Sequence, residues 1–149
     1  MLWERWRNLN AFGARLTRDG TVDLQFFAIT FLSSALENEP DHRARAFHNQ
    51  GPTLNCDVPI AAQWIKHCGH ILIESTQVCD TWGKGGNLWK GKPSFSPERW
   101  QFWKQRFGEM REHDQVSEQT KEAAAEAYNL MVKCEKELRE RDELAQTRV

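Results

Sequence analysis

Asp57-Val-Pro-Ile-Ala-Ala-Gln-Trp-Ile-Lys-His-Cys-Gly-His-Ile-Leu72 decides the fold. Ala61, Trp64, Ile65, Cys68 and Leu72 recur three and four residues apart, the period of a helix with one buried face. Asp57 followed closely by Pro59 reads as a helix start, and the pattern predicts a helix to about Val78. This helix is expected at the centre of the domain.

Towards the N-terminus, residues 41–55 are polar and without period, and read as a loop. Val22 to Glu37 is apolar on nearly every side, which predicts a largely buried helix closed by Asn38-Glu39-Pro40. Trp3 to Arg18 places Trp6, Leu9, Ala11, Phe12 and Leu16 at amphipathic spacing, ended by Asp19-Gly20. Towards the C-terminus, Gly83, Gly85, Gly86, Gly91 and Pro93 make Asp80 to Phe95 a loop. Ser96-Pro97-Glu98 then supplies a capping hydroxyl, a first-turn proline and a carboxylate at the positive helix end. The stripe that follows is Trp100, Trp103, Phe107 and Met110. A last helix runs from Ser117-Glu118 to about Glu143, with Ala124, Ala127, Met131, Cys134 and Leu138 inward. Its apolar run covers only about two heptads, so packing within the bundle is expected before a coiled-coil dimer seam.

The expected fold is therefore all-α: one domain over 1–149, a bundle of about five helices with a Gly/Trp-rich loop before the fourth. At 149 residues with 40% hydrophobic and 28% charged content, the chain can bury a core of its own. A formal charge of −1 lacks the basic field that drives phosphate binding, so nucleic acid is not an expected partner. No apolar run reaches membrane-spanning length, and the charged N-terminus is unlike a signal peptide, which points to the cytoplasm or nucleus. Four cysteines without a C-x-x-C pair fit reduced, buried thiols.

Motifs with chemistry are scarce. His67 and His70, with Cys68 between them and Cys79 beyond, have metal-ligand chemistry, but Cys68 falls on the apolar stripe and His70 on the polar one, so no metal is expected. Gly86 to Lys92 matches G-x-x-x-x-G-K, then meets Pro93 where a phosphate loop needs Ser or Thr. No nucleophile motif is present. His67, His70, Glu74 and Asp80 have acid-base chemistry without a spacing that joins them.

Seven tryptophans are the compositional anomaly. Trp82, Trp89, Trp100 and Trp103, with Phe95, Phe102 and Phe107, cluster in one segment. The simpler reading is a core plugged by the loop. The functional reading makes Trp82, Trp89, Arg99, Trp100 and Trp103 a groove for a small apolar ligand or a protein partner. The leading expectation is a non-catalytic, cofactor-free binding or interaction module, with a homodimer left open as its oligomeric state. The alternative is a cofactor-free enzyme acting on a small apolar substrate, so enzymatic activity stays open. A convergent pocket holding a carboxylate or His would favour the enzyme, and an apolar patch of several hundred Å² the interaction module.

Asn8-Leu-Asn-Ala-Phe12, Ala14-Arg15-Leu16, Ala35-Leu36-Glu37, Ala61-Ala62 and Trp64-Ile65 with Gly69 carry a resemblance. It continues through Gly85-Gly86, Leu88-Trp89 and Gly91 to Phe95-Ser96, Glu98-Arg99-Trp100 and Phe102-Trp103-Lys104. These residues span about two-thirds of the chain, and they resemble a fungal domain family of unknown function. The resemblance implies a helical fold and a fungal intracellular setting, and transfers no catalytic residue. Relatives longer at the N-terminus imply that further helices precede Asn8 in them, leaving apolar surface here for a partner or a second copy.

Overall fold

The computed structural model describes residues 2–148. Five helices make up the fold: α1 Leu2–Arg18, α2 Gln25–Leu36, α3 Gly51–Leu72, α4 Pro97–Arg111 and α5 Glu118–Thr147. Short 3-10 turns occupy Arg45–His48 and Asp80–Gly83. α3 is central. α1, α2 and α5 each pack against it, and α4 packs against α5 with a smaller contact to α2.

The start of α3 corrects the sequence reading by six residues. Asp57 does not cap the helix, and Pro59 sits inside it. Pro52, already in the first turn, is the better start signal, since its missing N–H costs nothing there. The new first turn is pinned to the α4–α5 connection: the Gln50 amide donates to Gln115 Oε1 (2.7 Å), and the Ser117 amide to Asn55 Oδ1 (2.8 Å). α3 also ends at Leu72, short of Val78, because residues 77–79 pair with the far end of the Gly-rich loop. Cys79 N donates to Pro93 O (3.1 Å), Phe95 N to Gln77 O (3.1 Å), and Val78 bridges Ser94. The two ends of the loop meet, making residues 80–93 a closed Ω-type loop.

α4 and α5 begin as their caps predict. Ser96 Oγ accepts from Arg99 N and Ser117 Oγ from Thr120 N. Trp100, Trp103, Phe107 and Met110 are all buried, and so are Ala124, Ala127 and Met131 of α5. Between the two helices Glu135 accepts from Lys104 Nζ (2.8 Å), Gln101 Nε2 (2.7 Å) and Trp100 Nε1 (3.0 Å). Cys134 and Leu138 are half-buried, and residues 139–148 are exposed.

α1 departs most from its expected packing. Its buried residues are Asn10, Ala11, Ala14 and Thr17, while Trp6, Leu9 and Phe12 are 46%, 57% and 51% exposed. Small side chains bring the α1 backbone close to α3, and polar groups then find partners across the seam. Trp64 Nε1 donates to Asn10 Oδ1 (3.1 Å), and Cys68 Sγ to the Ala14 carbonyl (2.9 Å). The large apolar side chains of α1 are left on the outside.

Two measurements check this packing. A chain ending after Asp114 uncovers the α3 and α4 surfaces that α5 buries, and is expected to lose its cooperative melt. A chain ending after Leu138 loses little beyond the exposed, solvent-screened Arg141–Glu74 pair, and is expected to melt within about 3 °C of the full chain. The second concerns acid. Burial by itself raises the pKa of Glu135, but the hydrogen bonds from Lys104, Gln101 and Trp100 outweigh it and hold the carboxyl below its ordinary range. A group depressed in the folded state contributes stability above its unfolded pKa, which is lost as pH falls through the folded value. Glu135→Gln is therefore expected to lower stability at neutral pH by about 1 kcal/mol and to flatten the acid limb below about pH 4.5.

Candidate functional site

The aromatic segment does not form a single groove. Arg99, Trp100 and Trp103 are 0%, 3% and 1% exposed, Trp89 is half-buried, and Trp82 is 56% exposed. Trp82 meets the edge of Phe26 on α2, and Trp100 faces Glu135 on α5. Trp89, Arg99 and Trp103 do come together, around a side chain from another helix end, Glu37.

Glu37 follows α2 and is fully buried, like Arg99. Arg99 Nε donates to Glu37 Oε1 (2.7 Å) and Nη2 to Oε2 (2.9 Å), a bidentate pair. Nη2 also reaches Ser33 Oγ (3.0 Å), while Nη1 reaches the carbonyls of Gly83 (2.6 Å), Ser94 (3.3 Å) and Lys92 (3.4 Å). All five N–H groups of the guanidinium have acceptors to meet. Glu37 Oε1 takes the Trp103 indole N–H (2.7 Å), its Oε2 takes the Gly86 amide (3.3 Å), and its backbone carbonyl takes Leu88 N (2.8 Å). Gly85 at φ +84° lies so close to the carboxylate and the guanidinium that a side chain would displace them. Trp89 and Trp103 cover the guanidinium, their ring centroids 5.1 and 5.4 Å from Cζ. This centre is closed and satisfied. Its chemistry is to hold the loop.

Trp89 also borders shallow hollows on the outside of this centre, and an open apolar cleft lies between α1 and α2. α1 and α2 both rest on α3, and the cleft between them has a volume of about 300 Å³. Its walls are Trp6, Leu9 and Phe12 of α1 with Phe27 and Phe31 of α2, and Trp64 forms the floor. Trp6 meets Phe31 edge-on at 5.8 Å. The polar atoms nearest the floor, on Asn10 and Trp64, already bond each other. A second hollow, about 590 Å³, lies between the starts of α1, α3 and α5 and has a mixed polar lining that includes Gln63 and Cys56.

Reactive groups are subdued. Burial raises the thiol pKa of Cys56, Cys79 and Cys134, and pushes that of Cys68 up to about 11. All four thiols are free and poor nucleophiles near neutrality. Burial and then the charges of Arg15, Arg18 and Lys66 lower the pKa of His67. Cys68 is buried and His70 exposed, and among the described residues no three His, Cys, Asp or Glu side chains converge.

Sequence reasoning missed both Glu37 and the cleft. A lone carboxylate ending an apolar helix, with an arginine in the first turn of a Trp-rich one, was the available signal for the pair. For the cleft it was the second stripe of α1, Asn10, Ala11, Ala14 and Thr17, which competes with the large apolar one for the inner face.

Fold and site together define an all-helical domain in which a buried ion pair clamps a Gly/Trp loop and an apolar cleft stands open. Residues 3–107 match the family described as Protein of unknown function (DUF3632), and the chain belongs to that family. No curated protein and no solved structure matches the chain significantly.

Thermal and urea melts rank the roles of the centre. Arg99→Met strands Glu37 and three loop carbonyls, and is expected to cost about 3–5 kcal/mol. Arg99→Lys, with three donors in place of a five-donor fork, should recover little of that loss. Trp103→Ala should cost about 3–5 kcal/mol through cavity and lost hydrogen bond, and Trp89→Ala, which uncovers the pair and removes the hydrogen bond to the Lys92 carbonyl, about 1–2 kcal/mol.

Proposed function

We propose that the protein is a non-catalytic interaction module whose docking face is the apolar cleft between α1 and α2. The observation that supports this most is the outward turn of Trp6, Leu9 and Phe12 on a helix that has small residues facing its own core. A domain that exposes a contiguous apolar patch of this kind presents it to something. The Trp89–Arg99 region is the weaker candidate, since its polar groups are consumed in holding the loop.

A small apolar ligand is the second reading, because a cleft of about 300 Å³ is at the lower end of ligand-pocket size. The enzymatic alternative has less support: the cleft brings no carboxylate or imidazole to its lining. The four free thiols fit a reducing compartment, cytoplasmic or nuclear. Among the described residues no helix is long and apolar enough to cross a membrane.

Surface and core readings of the cleft predict different melts. If α1 presents this face, Leu9→Glu and Phe12→Glu should each change stability by about 0.5 kcal/mol or less and strongly reduce fluorescence of the apolar dye ANS bound to the protein. A loss of about 3 kcal/mol or more, the cost of a core defect, would make the face part of the protein's own interior and overturn the proposal. Native mass spectrometry of protein from its own host then separates a retained small ligand from a macromolecular occupant.

A further inference from the structure

We propose that the occupant of the α1/α2 cleft is a second copy of this chain, the α1 of each copy lying against the cleft of the other about a two-fold axis. The proposal rests on the reading of the cleft as a docking face and names what fills it. Trp6, Leu9, Phe12 and Leu16 follow each other at intervals of three, three and four along α1, the anchor spacing of an amphipathic helix seated in a groove. The same residues form one wall of the groove. A surface that supplies both the inserted helix and its receptor is self-complementary, as a two-fold interface requires.

The area fits. Leu2, Trp6, Leu9, Phe12 and Phe27 are 81%, 46%, 57%, 51% and 37% exposed. Together they offer on the order of 600 Å² of apolar surface. Homodimer interfaces are about two-thirds apolar, so this belongs to a contact of roughly 900 Å² per copy, against about 800 Å² for a standard stable interface.

Charge argues the same way. A partner recognised electrostatically, such as an acidic helix or an anionic lipid surface, calls for cations in the contact. Of the four arginines on α1 only Arg5 falls within the apolar arc. Arg7 is stacked on Trp3 at 5.4 Å, and Arg18 pairs with Asp19 at 2.9 Å. An antiparallel α1 pair centred on Leu9 sets Arg5 opposite Gly13 of the other copy, so no like charges face each other. Nor does α5 compete as a seam. Its two large exposed apolar side chains, Val132 and Leu144, are separated by more than three turns that carry the Lys133–Glu137 and Lys136–Glu140 pairs, the surface of a solvated helix.

Sedimentation velocity of the full chain from about 1 to 100 µM tests the proposal, a range that spans micromolar dissociation constants. The expected result is a reversible dimer that Leu9→Glu converts to monomer, with helicity and Tm retained and at least a hundredfold weaker association. Val132→Glu on α5 should stay dimeric. Phe12→Ser is the second variant should Leu9→Glu fold poorly. A wild-type chain monomeric throughout, or a dimer split by Val132→Glu and not by Leu9→Glu, overturns it. A monomer whose ANS fluorescence still depends on Leu9 overturns the second copy alone and leaves the docking face standing. Co-sedimentation of that monomer with anionic phospholipid vesicles would then assign the face to a lipid surface. Loss of folding in both α1 variants would overturn the docking face as well.

Discussion

The structure depends on one buried ion pair. Glu37 and Arg99, both fully buried, join the end of α2 to the start of α4 across 62 residues of chain. Such a pair adds little net stability over well-packed apolar groups, because two charges must first be desolvated. Its effect here is specificity. One guanidinium collects carbonyls from Gly83, Ser94 and Lys92 as well as the carboxylate, so the loop has one conformation that satisfies the charge. The carboxylate answers from the other side by taking the Gly86 amide and the Trp103 indole. The glycines are needed because the chain passes directly over the pair. The tryptophans are needed because rings on the guanidinium keep water out while remaining attractive to the charge.

Of the residues that carried the family resemblance, Asn8 to Leu16 and Ala61 to Gly69 lie on α1 and α3, and the others converge on this centre. Ala35-Leu36-Glu37, Gly85-Gly86, Leu88-Trp89, Gly91, Glu98-Arg99-Trp100 and Phe102-Trp103 are far apart in the chain, yet most of them surround or support Glu37 and Arg99. The match to the family ends at residue 107, inside α4. Both the ion pair and the cleft fall within it. α5 does not, although it buries Ala124, Ala127 and Met131 against the rest and supplies Glu135 to Trp100. The folded unit is larger than the matched segment, because α3 and α4 have apolar surface that only α5 covers.

Periodicity exposed the helices better than it exposed their orientation. The caps at Ser96 and Ser117 were legible because a hydroxyl ahead of a carboxylate-bearing first turn satisfies orphan amides by local chemistry alone. Asp57-Val-Pro59 carried the same signal and it misled, because Pro52 and the contacts of Gln50 and Asn55 with residues 115–117 extend the helix backwards through tertiary structure. Arg99 read as a groove residue because a charged side chain among aromatics resembles an exposed rim. Its partner lies 62 positions away, and no spacing rule links them. Asn10 and Thr17 fall outside the apolar spacing expected of α1. They are buried because each has a hydrogen-bond partner inside, which residue type alone does not announce.

The two sites divide the tryptophans by what their N–H groups can reach. Trp64, Trp100 and Trp103 each bond a side-chain oxygen in the interior, on Asn10, Glu135 and Glu37, and an indole so satisfied can be buried. Trp89 bonds the carbonyl of Lys92 within its own loop and stays half-buried as the cover of the ion pair. Trp6 has its aromatic contact, Phe31, on the wall of the cleft, and remains nearly half exposed. A domain that has already spent its polar acceptors on three buried indoles gains nothing by turning a fourth inward, where its N–H would be orphaned. The cleft face of α1 is where an indole keeps its N–H near water while its ring meets apolar surface. That arrangement suits a contact surface better than an interior one.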